Sequence, residues 1–300
     1  MGVYILLLFM IFLYTAQSLL VRQYSAYYPG PDDMASPVFN IISGAVVVLS
    51  SLVMCGFRFE ASWQTLLLGA SNGLAFVLYR ICIIKASQTG PYSVLMISQI
   101  AGGILLPTFV GAVVFEDGFT LVKAICILVI LVSVYFVSSK KEDTARKKGF
   151  WLACAGLALG NGLYGTFLDV QQRLTSVNEK EEMVAITFFV ALAVSAVMLL
   201  IKQKKNFLPV MKQSKKSLVY LLSCSVVMSA AIHTMTKMIS MMDLTLLFTF
   251  DNSGVFLISV GASCVFFKEK LSVKNVIGCI TMSIALVVMM GWDWIITWFA

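Results

Sequence analysis

Ten apolar runs, each about 20 residues long, recur along the chain and constrain its fold more than any other feature. A helix of about 20 residues crosses the ~30 Å hydrocarbon core of a bilayer. Only helices and closed barrels satisfy every backbone hydrogen bond in lipid, and the runs lack the two-residue alternation of barrel strands. We therefore predict ten transmembrane helices, near residues 3–21, 36–56, 63–84, 92–114, 120–138, 149–169, 183–201, 217–239, 244–267 and 273–292.

The composition supports an integral, multi-pass membrane protein, and we expect it in the plasma (inner) membrane. Hydrophobic residues make up 59% of the chain and charged residues 12%, against about a quarter charged in an ordinary globular domain. The net charge of +7 arises from basic residues crowded into loops, so we interpret it as a topology signal and expect no nucleic-acid partner. We expect the protein to lie in a lipid bilayer as a monomer or a homodimer.

The distribution of Lys and Arg predicts the orientation. The odd-numbered loops carry sixteen of them and the opposite face four, while Arg80 and Lys237 lie within helices. Because Lys and Arg concentrate in cytoplasmic loops, this count places the odd-numbered loops in the cytoplasm and both termini outside.

An internal repeat divides the chain into 1–145 and 146–300, each with five of the predicted helices. A shift of 152 residues aligns Lys85 with Lys237 and lays "FEDGFTLVKAI" (115–125) on "FKEKLSVKNVI" (267–277). Since five is odd, the second repeat must enter the membrane from the opposite side. The repeats are therefore inverted, a design of secondary transporters, which bind substrate near the midplane between two halves.

Ten helices in two five-helix halves, with the turns "FEDGFT" and "FKEKLS" after the fourth helix of each half, resemble the drug/metabolite transporter superfamily, EamA-like branch. The resemblance implies a ten-helix transporter. Two features depart from it: the loop between the second and third helices, "GFRFEAS", is not basic, and the charge count places the termini outside, whereas that family has them inside.

Polar residues within the apolar runs are the candidate site, because such groups are costly in lipid and face a bundle interior or a watery cavity. Asp251 aligns with Gln99 under the repeat, and Asn72 shares a helix face with Tyr79. We expect eight residues to face one central cavity: Asn72, Tyr79, Arg80, Gln99, His233, Lys237, Asp251 and Asn252.

A structural interpretation of these residues stays open. Asp251 paired with Arg80 or Lys237 would lock helices together without a role in transport. His233 fits a hydrogen-bonded structural role as well as a proton carrier, and Lys237 lies close enough to its helix end to extend to the headgroups. Pro107 predicts a kink in the fourth helix, and the glycines of "GLALGNGLYG" (156–165) predict close helix packing.

The leading hypothesis is a secondary transporter that moves a small polar metabolite by alternating access, without a cofactor. An excess of cavity cations, from Arg80 and Lys237, favours a substrate with an anionic group, moved alone or with a coupling ion. The alternatives are a flippase of a lipid-linked substrate, an intramembrane enzyme, or a structural or sensory protein. The sequence contains no GxxxxGK[ST], HExxH or GxSxG motif and only one histidine, which disfavours ATP-driven transport and enzymatic activity.

Overall fold

The apolar runs are α-helices in the computed structural model, which describes residues 2–89, 92–116, 120–138, 149–175, 179–203, 210–242, 244–267 and 271–299. No strand occurs in these ranges. The long helices are α1 (Gly2–Tyr27), α2 (Asp32–Met54), α3 (Trp63–Thr89), α4 (Tyr92–Val114), α5 (Leu121–Ser138), α6 (Phe150–Leu174), α7 (Lys180–Gln203), α8 (Lys215–Ile239), α9 (Leu244–Phe267) and α10 (Val273–Phe299).

Seven of these helices, α1 to α4 and α6 to α8, are long and apolar enough to cross a membrane. The apolar stretches described in the other three, Leu121–Val137, Leu246–Ala262 and Val273–Met289, are shorter. Large apolar side chains are exposed along the helices: on α1, Ile5, Leu8 and Phe12 form a stripe at helical spacing, each more than 60% exposed. The chain is therefore an all-α polytopic membrane protein, as the apolar runs predicted.

Local signals set several helix ends. Before α8, the Ser214 hydroxyl accepts a hydrogen bond from the Ser217 backbone N–H at 3.1 Å, which satisfies one of the donors left free at a helix N-terminus. After α2, Gly56 adopts φ +61°, which glycine reaches without a steric penalty, and the next N–H, of Phe57, bonds back to the Leu52 carbonyl at 2.8 Å.

The helices form two compact units. The first unit comprises Met1–Val77 and Phe167–Met241, and the second comprises Leu78–Thr166 and Met242–Ala300. In the first unit α2 packs against α7 and α8, and α1 packs against α8. Each unit takes helices from both predicted repeats. The repeats concern sequence ancestry and the units concern packing, so the division between residues 145 and 146 stays a prediction.

The second unit has an apolar core between α5 and α10, joined by α4 and α9. Ile130 and Met282 lie at its centre and are fully buried. At the end of α5, the Asn275 amide donates to the backbone carbonyls of Phe136 and Val137, which have no partner within their own helix. This contact fixes the start of α10 against the end of α5.

Glycines bring α4 and α6 together within the second unit, as the sequence predicted for the glycine-rich run. A Cβ atom at Gly102 would overlap the Ala158 backbone, and one at Gly162 would lie 2.5 Å from the Gly102 carbonyl oxygen. The two backbones therefore touch where only glycine fits. Helix α4 is continuous through Pro107, and the kink stays a prediction.

Candidate functional site

The eight predicted site residues are divided between the two units. Asn72, His233 and Lys237 belong to the first unit, and the others, Tyr79, Arg80, Gln99, Asp251 and Asn252, belong to the second. Their convergence on one cavity stays a prediction. Within each unit, however, the structure shows which polar groups come together, and some of those groups were not predicted.

In the second unit Asn161 of α6 bridges α4 and α9. Its Nδ2 donates to the Gln99 backbone carbonyl at 2.8 Å and to Asn252 Oδ1 at 3.3 Å. Asn252 Nδ2 in turn donates to the Phe248 carbonyl at 2.9 Å, which fixes the orientation of its amide. A Cβ atom at Gly103 would lie 2.5 Å from Asn161 Nδ2, so this glycine makes room for the bridge.

Asp251 lies beside this amide bridge, about two turns into α9. Its Oδ1 is buried and has no hydrogen-bond partner among the described residues. Arg80 Cζ lies 5.8 Å from the centre of the Tyr79 ring, and Arg80 and Asp251 both lie within electrostatic range of the Tyr79 and Tyr164 hydroxyl groups. Arg80 and Asp251 thus share two tyrosines as neighbours, whereas a hydrogen bond from Arg80 to Asp251 Oδ1 is not formed.

Two further polar side chains of α9 accompany Asp251. Thr249 and Ser253 are fully buried, and neither hydroxyl has a hydrogen-bond partner among the described residues. Threonine and serine within helices usually donate to the carbonyl four residues earlier, as Thr166 does to Gly162 at 2.8 Å. Buried polar groups without partners are rare and call for an explanation, and a polar ligand would supply one.

In the first unit His233 of α8 is held on both ring nitrogens. Its Nδ1 lies 2.6 Å from Glu181 Oε2 of α7, and its Nε2 lies 3.0 Å from the Ser50 hydroxyl of α2. The Ser50 hydroxyl also lies 2.5 Å from that of Ser229, on the preceding turn of α8. The three helices are thus linked by a chain of close polar contacts, which we call the Glu181–His233–Ser50 chain.

The other two predicted residues of the first unit differ from His233. Asn72 is fully buried, and its Nδ2 donates to the Thr187 hydroxyl of α7 at 3.4 Å. Lys237 lies in the last turn of α8 with its side chain exposed. This position fits a lysine that extends to the headgroups, which was one of the two roles considered for it.

A third polar cluster ties the start of α3 to the residue before α7. The Glu179 carboxylate accepts hydrogen bonds from the Ser62 backbone N–H at 3.1 Å, from the Ser62 hydroxyl at 2.7 Å and from the Thr65 hydroxyl. These hydrogen bonds hold the pKa of the Glu179 carboxyl below its usual value, and the bond from the Ser62 hydroxyl has the largest effect. Gln171 of α6 donates to the same Thr65 hydroxyl at 3.2 Å.

Four residues of these clusters were not predicted from the sequence: Ser50, Asn161, Tyr164 and Glu181. Asn161 and Tyr164 lie in the glycine-rich run, which was considered only as packing. Glu181 was assigned to a loop, because the apolar run begins at 183, whereas α7 begins at Lys180. Among the described residues, no group of three or more His, Cys, Asp or Glu side chains could hold a metal ion.

Comparison with known proteins identifies the fold alone. No family model matches the sequence, and no curated protein does. Among solved structures 28 chains match. One of them, a crystal structure of another protein, has a TM-score of 0.71 at 16% sequence identity, and the match covers 96% of this chain and 96% of that chain.

Proposed function

We propose that the chain is a secondary transporter of the inner membrane, which moves a small polar metabolite by alternating access. In this proposal ten transmembrane helices form two inverted five-helix repeats of the EamA-like type. Packing within the units supports the repeat: α2 packs against α7, α4 against α9, and α5 against α10, and in each pair the second helix comes five helices after the first.

The proposal depends on the buried carboxylate of Asp251. A carboxylate within a membrane-spanning helix is costly and is usually paired or functional. Asp251 Oδ1 is buried without a hydrogen-bond partner in the described structure, and two unpartnered hydroxyls lie on the same helix. A side chain retained only to lock helices would be expected to bond a neighbour. A bound polar substrate or ion would instead satisfy Asp251, whereas Thr249 and Ser253, each two residues away, face the other side of α9.

Arg80 indicates which class of substrate the site would bind. The guanidinium is always charged and suits a carboxylate or phosphate, whose two oxygens match its donors. With Tyr79 and Tyr164 as its neighbours, it supplies donors for an anionic group. Asp251 would then bind a donor group of the same molecule, such as an amine or hydroxyl.

The test is transport by purified protein in vesicles, measured against a panel of anionic, zwitterionic and neutral metabolites. We expect Asp251→Asn to reduce uptake at least about tenfold, because loss of one charge-assisted hydrogen bond is worth about 1.5–3 kcal/mol. Arg80→Gln should weaken binding of the anionic substrate more than that of a neutral analogue.

Glu60→Gln is the matched control, since it makes the same carboxyl-to-amide change at an exposed residue before α3. It should transport as the wild type does. A folded, fully active Asp251→Asn protein would remove Asp251 from the mechanism. Equal weakening of charged and neutral substrates by Arg80→Gln would show that Arg80 shapes the site without recognising charge.

A further inference from the structure

The Glu181–His233–Ser50 chain has no part in the substrate site proposed above, yet it holds an ionisable pair inside a membrane protein. Glu181 is nine-tenths buried, at 9% exposure. His233 Nδ1 and Glu181 Oε2 lie 2.6 Å apart, an ion-pair distance when the ring is protonated, and the two atoms do not form a hydrogen bond of ordinary geometry. What distinguishes this chain from a simple structural pair is its response to a proton.

In both protonation states Nε2 of His233 has a hydrogen-bond partner in the same geometry. When the imidazole is neutral, Nε2 accepts from the Ser50 hydroxyl at 3.0 Å. When the ring is protonated, Nε2–H donates to Ser50 Oγ instead. The Ser50 hydroxyl can then donate to the Val47 carbonyl at 2.8 Å. A proton is thus taken up at Nε2 by rotating one hydroxyl, and that hydroxyl keeps an acceptor.

Titratable groups lie on the helices packed against α8. Of the helices packed against α8, α7 contributes two buried carboxylates, Glu181 and Glu182, and α2 contributes a thiol near its end, Cys55. Helix α1 carries no charged residue before Arg22, and its tyrosines are its titratable groups over that stretch. Of these carboxylates, Glu181 is the one in contact with the ring.

Two of the described cations of the first unit, on α8 and on α6, are directed away from His233 or paired locally. Lys237 is exposed, one turn beyond His233 on α8. Helix α6 reaches α8 through Gln172, which donates to the Thr236 carbonyl at 3.0 Å. On the same helix Arg173 forms an ion pair with Asp169 at 2.7 Å, which balances its charge locally.

The order serine, histidine, carboxylate is also that of hydrolase triads. Such triads need preorganised donors for an oxyanion, usually backbone N–H groups. Ser50 lies within α2, where the backbone N–H groups bond to carbonyls of the preceding turn, so these donors are already engaged. The geometry therefore favours proton binding over nucleophilic catalysis.

We propose that Glu181, His233 and Ser50 form a proton-binding site, and that its proton is the coupling ion of the transporter. The coupling role rests on the proposed function, whereas proton binding does not. The site lies in the first unit, whereas Asp251 belongs to the second unit.

Proton binding is tested by nuclear magnetic resonance on protein with isotope-labelled histidine. His233 is the chain's only histidine, so every labelled ring signal from a protein purified without a histidine tag belongs to it. We expect one titration step between pH 5 and 9. Glu181→Gln should reduce the proton affinity about tenfold, which moves the step by about one pH unit towards acid.

Glu182→Gln is the control, because it removes a neighbouring buried carboxylate that does not contact Nδ1. It should move the step less than Glu181→Gln does. Wild-type ring signals that do not change between pH 5 and 9 would overturn the proposal, as would equal shifts in the two variants. Covalent labelling of Ser50 by a fluorophosphonate would also overturn it, in favour of a nucleophile.

Coupling is tested in vesicles with an imposed proton gradient. The gradient should accelerate wild-type uptake, and His233→Gln should lose that acceleration, measured as the ratio of uptake with the gradient to uptake without it. Wild-type uptake that ignores the gradient would refute the coupling role. A wild type that moves no metabolite would refute the proposed function, and the titration, which needs no substrate, would still decide whether the site binds a proton.

Discussion

The two units differ in what lies next to one buried carboxylate of each unit. In the first unit Glu181 meets His233 at 2.6 Å, and His233 continues to Ser50. In the second unit Asp251 has a buried oxygen with no hydrogen-bond partner in the described structure. A buried charge with its partner holds helices together, whereas one without is costly unless something else binds it. The comparison therefore separates a site that already has its ligand groups in contact from one arranged to receive a ligand.

Removing one group from each unit tests this difference most directly. His233→Leu leaves the Glu181 carboxylate buried without its partner, so we expect the free energy of unfolding to fall by about 3 kcal/mol. Asp251→Asn removes a buried charge whose Oδ1 bonds nothing, so stability should stay the same or rise. Thermal and denaturant unfolding of both variants in one detergent would measure the difference.

An Asp251→Asn protein destabilised as much as His233→Leu would erase the distinction between the units. It would mean that Asp251 locks helices together, which was the structural role left open by the sequence. In that case, neutralising Arg80 in the same protein should restore stability.

A smaller effect is expected where the second unit makes room for its amide bridge. Gly103→Ala places a Cβ within 2.5 Å of Asn161 Nδ2 and 2.6 Å of Asn252 Oδ1, so we expect about 2 kcal/mol of destabilisation and displaced amides. Gly261→Ala is the matched control on α9, because no atom lies within 4 Å of its Cβ position. It should leave stability unchanged or raise it by up to about 1 kcal/mol.

Unfolding measurements on the two alanine variants would test this contrast. If Gly103→Ala proved as stable as Gly261→Ala, the Asn161 bridge would not depend on the close approach of α4. The polar groups of the second unit would then be loosely held, rather than arranged by packing.

The smallest effect concerns Glu179 in the first unit, whose pKa is lowered by hydrogen bonds from Ser62 and Thr65. A carboxyl group with a lowered pKa in the folded state stabilises the protein above its unfolded pKa of about 4.3, and this contribution is lost as the pH falls through the folded value. Because Glu179 is partly exposed, we expect only about 0.5 kcal/mol.

Unfolding at pH 7 and at pH 3 to 4 would measure this contribution. Glu179→Gln should lower stability at pH 7 and narrow the difference between the two pH values. Glu60→Gln, at an exposed residue, should change neither. An unchanged pH dependence in Glu179→Gln would show that this carboxylate adds nothing to the contact between α3 and α7.

The helices were predictable because their signal is local. In lipid, the backbone N–H and C=O groups of an apolar run must hydrogen-bond to each other, which a helix achieves. The helices α4 at Tyr92–Val114 and α9 at Leu244–Phe267 accordingly match the predicted ranges. Helix ends were less predictable: α10 reaches Phe299, although its apolar run was expected to end near 292. The glycine contacts of α4 and α6 were also predictable in kind, since small residues at helical spacing mark where backbones approach.

The partners of the polar groups were decided by the tertiary structure. Helical spacing shows that Ser229 and His233 share a face, but it does not say which neighbouring helix that face meets. Ser50 and Glu181 are far from His233 in sequence, and only the packing of α2 and α7 against α8 brings them to its two ring nitrogens. The sequence alone indicates a membrane protein, the positions of its helices and the free-energy cost of placing Asp251 in the membrane. Only the packing decided that one buried carboxylate has a partner and that the other has an oxygen without one.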